Sequence, residues 1–174
     1  MDDFYSREIT LADMPFLMHE FEEGARLGHF TNEIITQAGG KKFEKQMREA
    51  IKIRDANGES GHFIFILLRR SDDKKIGLIW FTPAIDPAGY QRLELRTFCI
   101  TKSMQGKGYG SMFLSDMIDS NAPLPMMAKC YVKSTKMAEM LKRRGFHLVD
   151  TSPTGTQLLF RNPRRDHTQS LDLT

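Results

Sequence analysis

The stretch that decides the fold reads ITKSMQGKGYGS and occupies residues 100–111. An apolar run precedes it, and a helix is expected to follow. Three glycines recur at alternate positions: Gly106, Gly108 and Gly110. Glycine allows positive φ angles and close approach of the backbone to a ligand, and the first N–H groups of a helix have no partner within it. The turn therefore suits an anion such as a pyrophosphate, with Lys107 adding charge and Ser111 a hydroxyl.

The spacing of this loop separates it from two common nucleotide-binding motifs. A P-loop requires G-x-x-x-x-G-K-[ST], and no Ser or Thr follows Lys107 at the required spacing. A dinucleotide-binding fingerprint requires G-x-G-x-x-G, and residues 106–110 are one residue short of it. On the glycines alone, the alternative to an anion site is a flexible turn that binds no ligand.

Outward from this loop, the hydrophobic pattern predicts both strands and helices. Short apolar or alternating runs predict strands at 4–10, 62–70, 75–81, 91–101, 126–132, 147–149 and 156–160. Helical periodicity predicts helices from a Thr10 cap through residue 25, and at 41–56, 108–120 and 135–144. Hairpins flanking strand–helix–strand units indicate an α/β (α+β) fold, in which a mixed sheet carries helices packed on it.

Local residues mark where these elements begin and end. Thr10, with Asp13 three positions later, resembles a capping box. The glycine pair at 39–40 is expected to precede the second helix. Pro83 is expected to break the chain after the strand at 75–81. Gly145 fits the left-handed position just past the end of the last helix.

Length and composition describe an ordinary folded domain. The 174 residues are 40% hydrophobic and 27% charged, as in typical globular proteins. We assign residues 1–162 to a single domain and residues 163–174 to a polar, flexible C-terminal tail. No apolar run approaches the ~20 residues of a membrane span, and the acidic start lacks a basic-then-apolar signal. A cytoplasmic protein that makes no membrane contact is expected.

Residue types that hold metals or nucleic acids show no concentrated pattern. Cys99 and Cys130 lie in separate apolar segments and are expected to be buried thiols rather than a disulfide framework. The five histidines are scattered singly, so no metal site is expected. A net charge of +3 is too small to indicate nucleic acid by itself. Basic residues at 142–144 and near the C-terminus keep nucleic-acid binding as a disfavoured alternative.

The glycine loop resembles a motif of a known superfamily. Gln105-Gly106-Lys107-Gly108-Tyr109-Gly110 is similar to the Q/R-x-x-G-x-G/A loop of the GNAT superfamily, the acetyl-CoA-dependent N-acetyltransferases. An apolar strand ends five residues before this loop, and a later helix closes in Arg144-Gly145-Phe146, as in that superfamily. The resemblance covers residues 4–160. It implies a GNAT-like, mostly antiparallel sheet of six or seven strands, with about four helices on both faces.

The resemblance also implies how acetyl-CoA binds as co-substrate. Backbone N–H groups of the loop would bind its pyrophosphate, at Gln105, Gly106, Lys107, Gly108, Tyr109 and Gly110. In the superfamily the strand before the loop splays from its neighbour and leaves backbone free for the pantetheine arm. That assigns Phe98, Cys99 and Ile100 to the arm. Cys99 is expected to pack rather than act as a nucleophile, since the superfamily transfers the acetyl group directly.

Direct transfer to a primary amine requires a group that takes the amine's proton. Several members use a glutamate on the strand before the loop, and Glu94 matches that position. Alternation along the strand places Glu94, Arg96, Phe98 and Ile100 on one face. The alternative is that Glu94 merely pairs with Arg92 or Arg96 at the surface of the sheet.

Two positions depart from the superfamily pattern. The tyrosine that protonates the leaving thiolate in many members is replaced here by Leu141, which has no proton to donate. The frequent asparagine at the start of that helix is replaced by Ser134, assigned to the coenzyme site, although Ser134 or Thr135 also suits a helix cap. Tyr109 and Tyr131 are nearby phenols at other positions. The alternative function is therefore a coenzyme A-binding interaction or regulatory module with weak or lost catalysis.

The sequence does not identify the acceptor. The first two helices and the loop at 83–90 are expected to bind the acceptor. Glu20, Glu22 and Glu23 are candidates to attract a cationic amine. Residues 28–30 are candidates to line the cleft. The acceptor is expected to be an amine-bearing small molecule or protein, and the chain a monomer or a homodimer.

Overall fold

Seven strands form one sheet in the computed structural model, which describes residues 3–163. The strands are β1 Phe4–Glu8, β2 Phe63–Arg69, β3 Lys74–Ile85, β4 Gln91–Ile100, β5 Met126–Cys130, β6 His147–Thr151 and β7 Gln157–Arg161. The α-helices are α1 Met14–Arg26, α2 Gln37–Asn57, α3 Tyr109–Ser120 and α4 Thr135–Lys142. Most of these ends lie within one or two residues of the predicted ones.

The strands lie in the order β1-β2-β3-β4-β5-β7-β6. Every neighbouring pair is antiparallel except β4 and β5, which are parallel. A parallel pair needs a long crossover, and here the glycine loop and α3 provide it. The predicted fold class, a mixed and mostly antiparallel sheet of six or seven strands with four helices, is confirmed for the described residues.

The helices cover both faces of the sheet and bury two apolar clusters. On one face α1 and α2 contribute Leu17, Phe21, Met47 and Ile51, which pack with Ile66, Leu78 and Trp80. On the other face α3 and α4 contribute Phe113, Leu114, Ala138 and Leu141, which pack with Phe81, Leu95 and Ala128. We call these the α1 face and the α3 face.

Helix α2 begins four residues earlier than predicted. The hydroxyl of Thr36 accepts a hydrogen bond from the Gly39 N–H at 3.0 Å and caps the helix. Gly39 therefore lies in the first turn rather than before the helix. A side chain there would overlap the carbonyl oxygen of Glu33. The glycine marks a close contact with the preceding turn, not a break.

Strand β3 runs on through Pro83, where the sequence predicted an end. The register between β2 and β3 stops at the pair Phe63–Phe81, so β3 has lost that neighbour when it reaches Pro83. On its other side Pro83 stays opposite Leu93 of β4. A proline is tolerated there because that part of β3 is an edge.

We searched the described residues for membrane-spanning helices and for clusters of metal-binding side chains. No helix within residues 3–163 is long and apolar enough to cross a membrane. In the same part of the chain, no three His, Cys, Asp or Glu side chains are placed to hold a metal ion. Almost all of the predicted C-terminal tail, residues 164–174, lies outside the described residues.

A buried carboxylate fixes the start of α1 to the sheet. Asp13 is 1% exposed and accepts hydrogen bonds from the Thr10 N–H and hydroxyl, both at 2.8 Å. Its oxygens also lie 2.7 Å from Arg7 of β1 and 2.7 Å from Lys75 of β3. Burial acts to raise the pKa of Asp13, but these donors outweigh it and hold the pKa well below its usual range. The predicted capping residue is thus also a link between two strands.

We expect Asp13→Asn to lower the free energy of unfolding by about 2–3 kcal/mol at pH 7, because both cations lose their charged partner. The depressed folded-state pKa means that the stabilisation by Asp13 is present above about pH 4 and decreases as the pH falls below it. The variant should therefore lose stability less steeply than wild type in that window. Urea unfolding at pH 7 and pH 3 measures both effects. Glu139→Gln, which removes an exposed ion pair with Lys142, is the control and should change stability by less than about 0.5 kcal/mol.

Candidate functional site

The sheet opens between β4 and β5. Their register joins residues 93–95 to residues 126–128 and ends there. Beyond this point β4 stays paired with β3 to Ile100, and β5 stays paired with β7 to Cys130. The two strands thus enclose a wedge that is narrow at Leu95 and open toward the glycine loop. In the wedge, the β4 backbone of residues 96–100 has no strand partner on its β5 side.

The glycine loop lies at the open end of this wedge. The side-chain amide of Gln105 donates a hydrogen bond to the Ile100 carbonyl oxygen at 2.8 Å, which ties the loop to the end of β4. Gly106 and Gly108 have φ angles of 78° and 86°. A Cβ built at either glycine would have no other atom within 4 Å. The backbone here is left-handed and borders open space, which suits close approach by a ligand.

The start of α3 presents backbone N–H groups to that space. The first bond into the helix runs from the Met112 N–H to the Gly108 carbonyl oxygen at 3.1 Å. The N–H groups of residues 109–111 come before it and have no acceptor within the helix. Together with the positive end of the helix dipole, they make this turn suited to an anion, and we call it the anion-binding turn.

A third glycine brings α3 against the sheet. A Cβ on Gly110 would lie 3.1 Å from Ile100 and 3.5 Å from Phe98. These contacts are tight, so Gly110 allows the start of α3 to pack closely against the end of β4.

Arg144, at the end of α4, binds the first turn of α3. Its guanidinium donates to the carbonyl oxygen and the hydroxyl of Ser111, both at 2.7 Å, and to the Ser115 hydroxyl at 3.0 Å. From the sequence, Ser111 was predicted to lie in the anion site, and residues 142–144 were interpreted only as positive charges at the end of a helix. The contact joins residues 33 apart in the chain, so no local pattern reveals it. It adds a positive charge beside the anion-binding turn.

Two side chains of the glycine loop, Lys107 and Tyr109, contribute less to the anion-binding turn than the backbone does. The Lys107 ammonium is exposed and lies 4.0 Å from the Met104 sulfur. Tyr109 packs on Phe4 of β1, with ring centroids 4.4 Å apart. The phenol of Tyr109 thus belongs to the packing between α3 and β1.

The predicted face alternation along β4 is wrong. The register pairs Trp80 with Thr97 but Phe81 with Leu95, so Arg96 is an extra residue, a β-bulge. Phe98 and Ile100 pack on the α3 face. The guanidinium of Arg96 instead lies over the ring of Trp80, on the α1 face. The bulge shifts the alternation by one residue and separates the expected set.

Cys99 packs on the α1 face, near the carboxylate of Glu20 on α1. Burial raises the pKa of the Cys99 thiol well above its usual value, and the Glu20 charge raises it further. Burial likewise raises the pKa of Glu20. A thiol that resists ionisation is a poor nucleophile, which fits the packing role predicted for Cys99.

Glu94 lies at the narrow end of the wedge. It is 8% exposed, and its Oε1 is 3.4 Å from the Nζ of Lys129 on β5. Of the two partners considered from sequence, Arg92 instead pairs with Asp86 at 2.6 Å, and Arg96 lies over the ring of Trp80. Glu94 therefore has a cation partner on the neighbouring strand β5, a pairing that the local sequence does not reveal.

Ser134 joins the turn after β5 to the loop after α1. Its hydroxyl lies 3.0 Å from Nδ1 of His29 and makes no capping hydrogen bond to α4. In the same loop Gly28 approaches the Lys133 side chain so closely that a Cβ would lie 3.0 Å from it. The loop that carries residues 28–30 thus contacts the chain just beyond β5.

Leu141, which replaces the expected tyrosine, has no exposed surface. It packs in the cluster on the α3 face. This side chain gives the site neither a proton donor nor contact with solvent.

Several solved structures share this fold, and three of them are acetyltransferases. PaiA N-acetyltransferase from Thermoplasma acidophilum, in complex with coenzyme A, is 14% identical, with a TM-score of 0.66 over 91% of this chain and 98% of that one. A GNAT-family acetyltransferase from Streptococcus agalactiae is 14% identical, with a TM-score of 0.68 over 94% and 96%. A chimera of the spermidine N-acetyltransferase SpeG from Vibrio cholerae is 13% identical, with a TM-score of 0.60 over 92% and 95%.

A match to a family sequence model identifies the family of this chain. The model of the acetyltransferase (GNAT) family matches residues 28–146, more than half of the chain. This protein belongs to the GNAT acetyltransferase family, as the glycine loop and its flanking elements predicted. No curated protein sequence matches the chain significantly.

We expect Gly108→Ala to weaken coenzyme A binding about tenfold or more, because the methyl group occupies open space at the loop and strains a left-handed residue. Isothermal titration calorimetry measures the affinity. Gly58→Ala is the matched control, since Gly58 has a φ of 81° and equally open surroundings at the far end of α2. It should lower stability to a similar extent and leave the affinity unchanged. Equal affinities in both variants would contradict the assignment of the loop.

Proposed function

We propose that this protein is an N-acetyltransferase that moves an acetyl group from acetyl-CoA to a primary amine of a small molecule or protein. The observation that carries the proposal is the wedge between β4 and β5, which opens directly onto the anion-binding turn. Family membership and the N-acetyltransferases among the solved structures support it.

The residues at the turn fit the coenzyme's diphosphate. The N–H groups of residues 109–111 and the open left-handed backbone at Gly106 and Gly108 supply donors and space. Arg144 adds a positive charge beside them. The unpaired backbone of residues 96–100 can hydrogen-bond the amides of a pantetheine arm lying in the wedge. The coenzyme supplies an acetyl group activated as a thioester.

The direction of the wedge supports a place for the reaction. A linear ligand anchored at the open end and lying along β4 extends toward the narrow end, at Leu95. Glu94 lies there, buried on its strand and 3.4 Å from Lys129. We assign Glu94 as the general base that takes a proton from the acceptor amine, directly or through a water molecule.

The step balances in atoms and charge. The neutral amine nitrogen forms a bond to the acetyl carbon, and the carbon–sulfur bond breaks. The amine's proton passes to Glu94, and the coenzyme thiolate takes a proton from solvent, because Leu141 has none to give. Cys99 takes no part, since its thiol resists ionisation.

Burial of Leu141 favours a second candidate function. A site without a proton donor at this position fits a coenzyme A-binding interaction or regulatory module with weak or lost catalysis. The two candidates agree on coenzyme binding and differ only in turnover.

Acetyl-CoA and CoA should each raise the melting temperature, because a ligand that binds only the folded state stabilises it by about 2.7 kcal/mol at a hundred times its Kd. ATP and NAD at the same concentrations serve as controls and should have little effect. Differential scanning fluorimetry measures the shifts. Absence of stabilisation by either coenzyme would exclude both candidate functions.

Glu94→Gln should lower kcat by about 10²- to 10⁴-fold, since general-base catalysis contributes on that scale. It should leave the melting-temperature shift with acetyl-CoA unchanged. Release of free coenzyme thiol with a panel of amines measures turnover. Glu139→Gln, on the exposed surface of α4, is the control and should retain wild-type activity. Full activity in Glu94→Gln would reject the assigned base, and no turnover by wild type with any amine would favour the binding module.

A further inference from the structure

Arg96 is the extra residue of the β4 bulge and is unpaired in the ladder between β3 and β4. Trp80 pairs with Thr97 and Phe81 with Leu95, so Arg96 has no partner on β3. Bulges commonly re-aim one side chain beside a functional site. Arg96 is exposed, and it is the first residue of β4 beyond the last pair with β5. It therefore lies at the narrow end of the wedge.

The side chain of Arg96 packs on the ring of Trp80. Its guanidinium carbon lies 5.1 Å from the ring centroid of Trp80. Trp80 is 6% exposed and is itself fixed by Phe21 and Phe43, with ring centroids at 5.9 and 6.2 Å. Stacking on an aromatic ring orients a guanidinium without using its N–H groups.

Those N–H groups remain available. Within residues 3–163, the Arg96 guanidinium makes neither a hydrogen bond nor an ion pair. The nearest carboxylate along the strand, Glu94, is paired with Lys129. Burial and the charge of Arg96 lower the pKa of His62, which packs against Trp80 with ring centroids 5.5 Å apart. A neutral His62 does not compete with Arg96 for an anion at neutral pH.

An oriented arginine with free N–H groups binds carboxylates and phosphates through two parallel hydrogen bonds. Arg96 and Glu94 are two residues apart, which corresponds to roughly 6–7 Å along the strand, and both lie away from the α3 face. An amine that bears an anionic group a few bonds away can therefore meet both side chains at once.

We propose that Arg96 is a specificity-determining residue and that the acceptor is a small amine bearing a carboxylate or phosphate group. This inference rests on the proposed acetyltransferase function. It narrows the acceptor to zwitterionic amines and disfavours polyamines, which carry only positive charge.

The test compares each anionic amine with its counterpart lacking the anion: histidine with histamine, tyrosine with tyramine, lysine with cadaverine, and O-phosphoethanolamine with ethanolamine. Release of free coenzyme thiol gives kcat/KM for each. In at least one pair the anionic member should be preferred by about tenfold or more, since a charge-assisted hydrogen bond contributes about 10- to 100-fold in binding. Preference within the last pair alone identifies phosphate, and within the others carboxylate.

Arg96→Met removes the guanidinium and keeps an unbranched side chain over Trp80. It should lower kcat/KM for the preferred anionic amine by about 10- to 100-fold, mainly through KM, and leave its counterpart unchanged. Arg96→Lys should recover only part of the loss. Arg70→Met is the matched control, because the Arg70 guanidinium also lies over an aromatic ring, 5.3 Å from the centroid of Tyr5 on the far edge of the sheet. It should leave both members unchanged.

Equal or better use of the counterpart in every pair, or an equal loss for both members in Arg96→Met, would overturn the proposal. If no amine is acetylated although acetyl-CoA stabilises the protein, the proposed catalytic function is wrong. The proposed anion site at Arg96 is then tested by measuring ligand binding. Histidine, tyrosine, lysine and O-phosphoethanolamine are then added to CoA-saturated protein. At least one should raise the melting temperature of wild type and not of Arg96→Met. No such difference would overturn the anion site as well.

Discussion

The site exists because β4 and β5 are each held more extensively by another neighbour than by one another. Three residue pairs join β4 to β5, against nine between β3 and β4 and five between β5 and β7. Each strand follows its longer partner, and the sheet separates beyond Leu95. The wedge is therefore a consequence of strand pairing, and its open end lies beside the glycine loop.

The bulge at Arg96 determines which chemical groups face each side of that opening. Before it, Glu94 lies opposite Thr82, and after it Phe98 and Ile100 pack toward α3. Without the extra residue, either Glu94 or the apolar pair would lie on the opposite face. The α3 face of β4 thus carries the apolar side chains of Phe98 and Ile100, while the α1 face carries the guanidinium of Arg96.

Contacts between distant parts of the chain complete the site. Arg144 joins the end of α4 to the start of α3, and His29 joins the loop after α1 to Ser134 beyond β5. Asp13 holds α1 against β1 and β3. Asp13 is withdrawn from water where several donors converge, and such a group specifies one arrangement of the elements.

The sequence by itself determined most of the elements and the fold class and located the glycine loop, because periodicity, helix caps and glycine spacing are local properties of the chain. It did not determine the start of α2, the passage of β3 through Pro83 or the face alternation of β4. Those depend on neighbours: the Glu33 carbonyl at Gly39, the loss of β2 beside Pro83, and a register with β3 that leaves Arg96 unpaired. The tertiary structure alone gave Glu94 its partner Lys129 and placed Arg96 over Trp80, since residues far apart in the chain come together only when the strands pair.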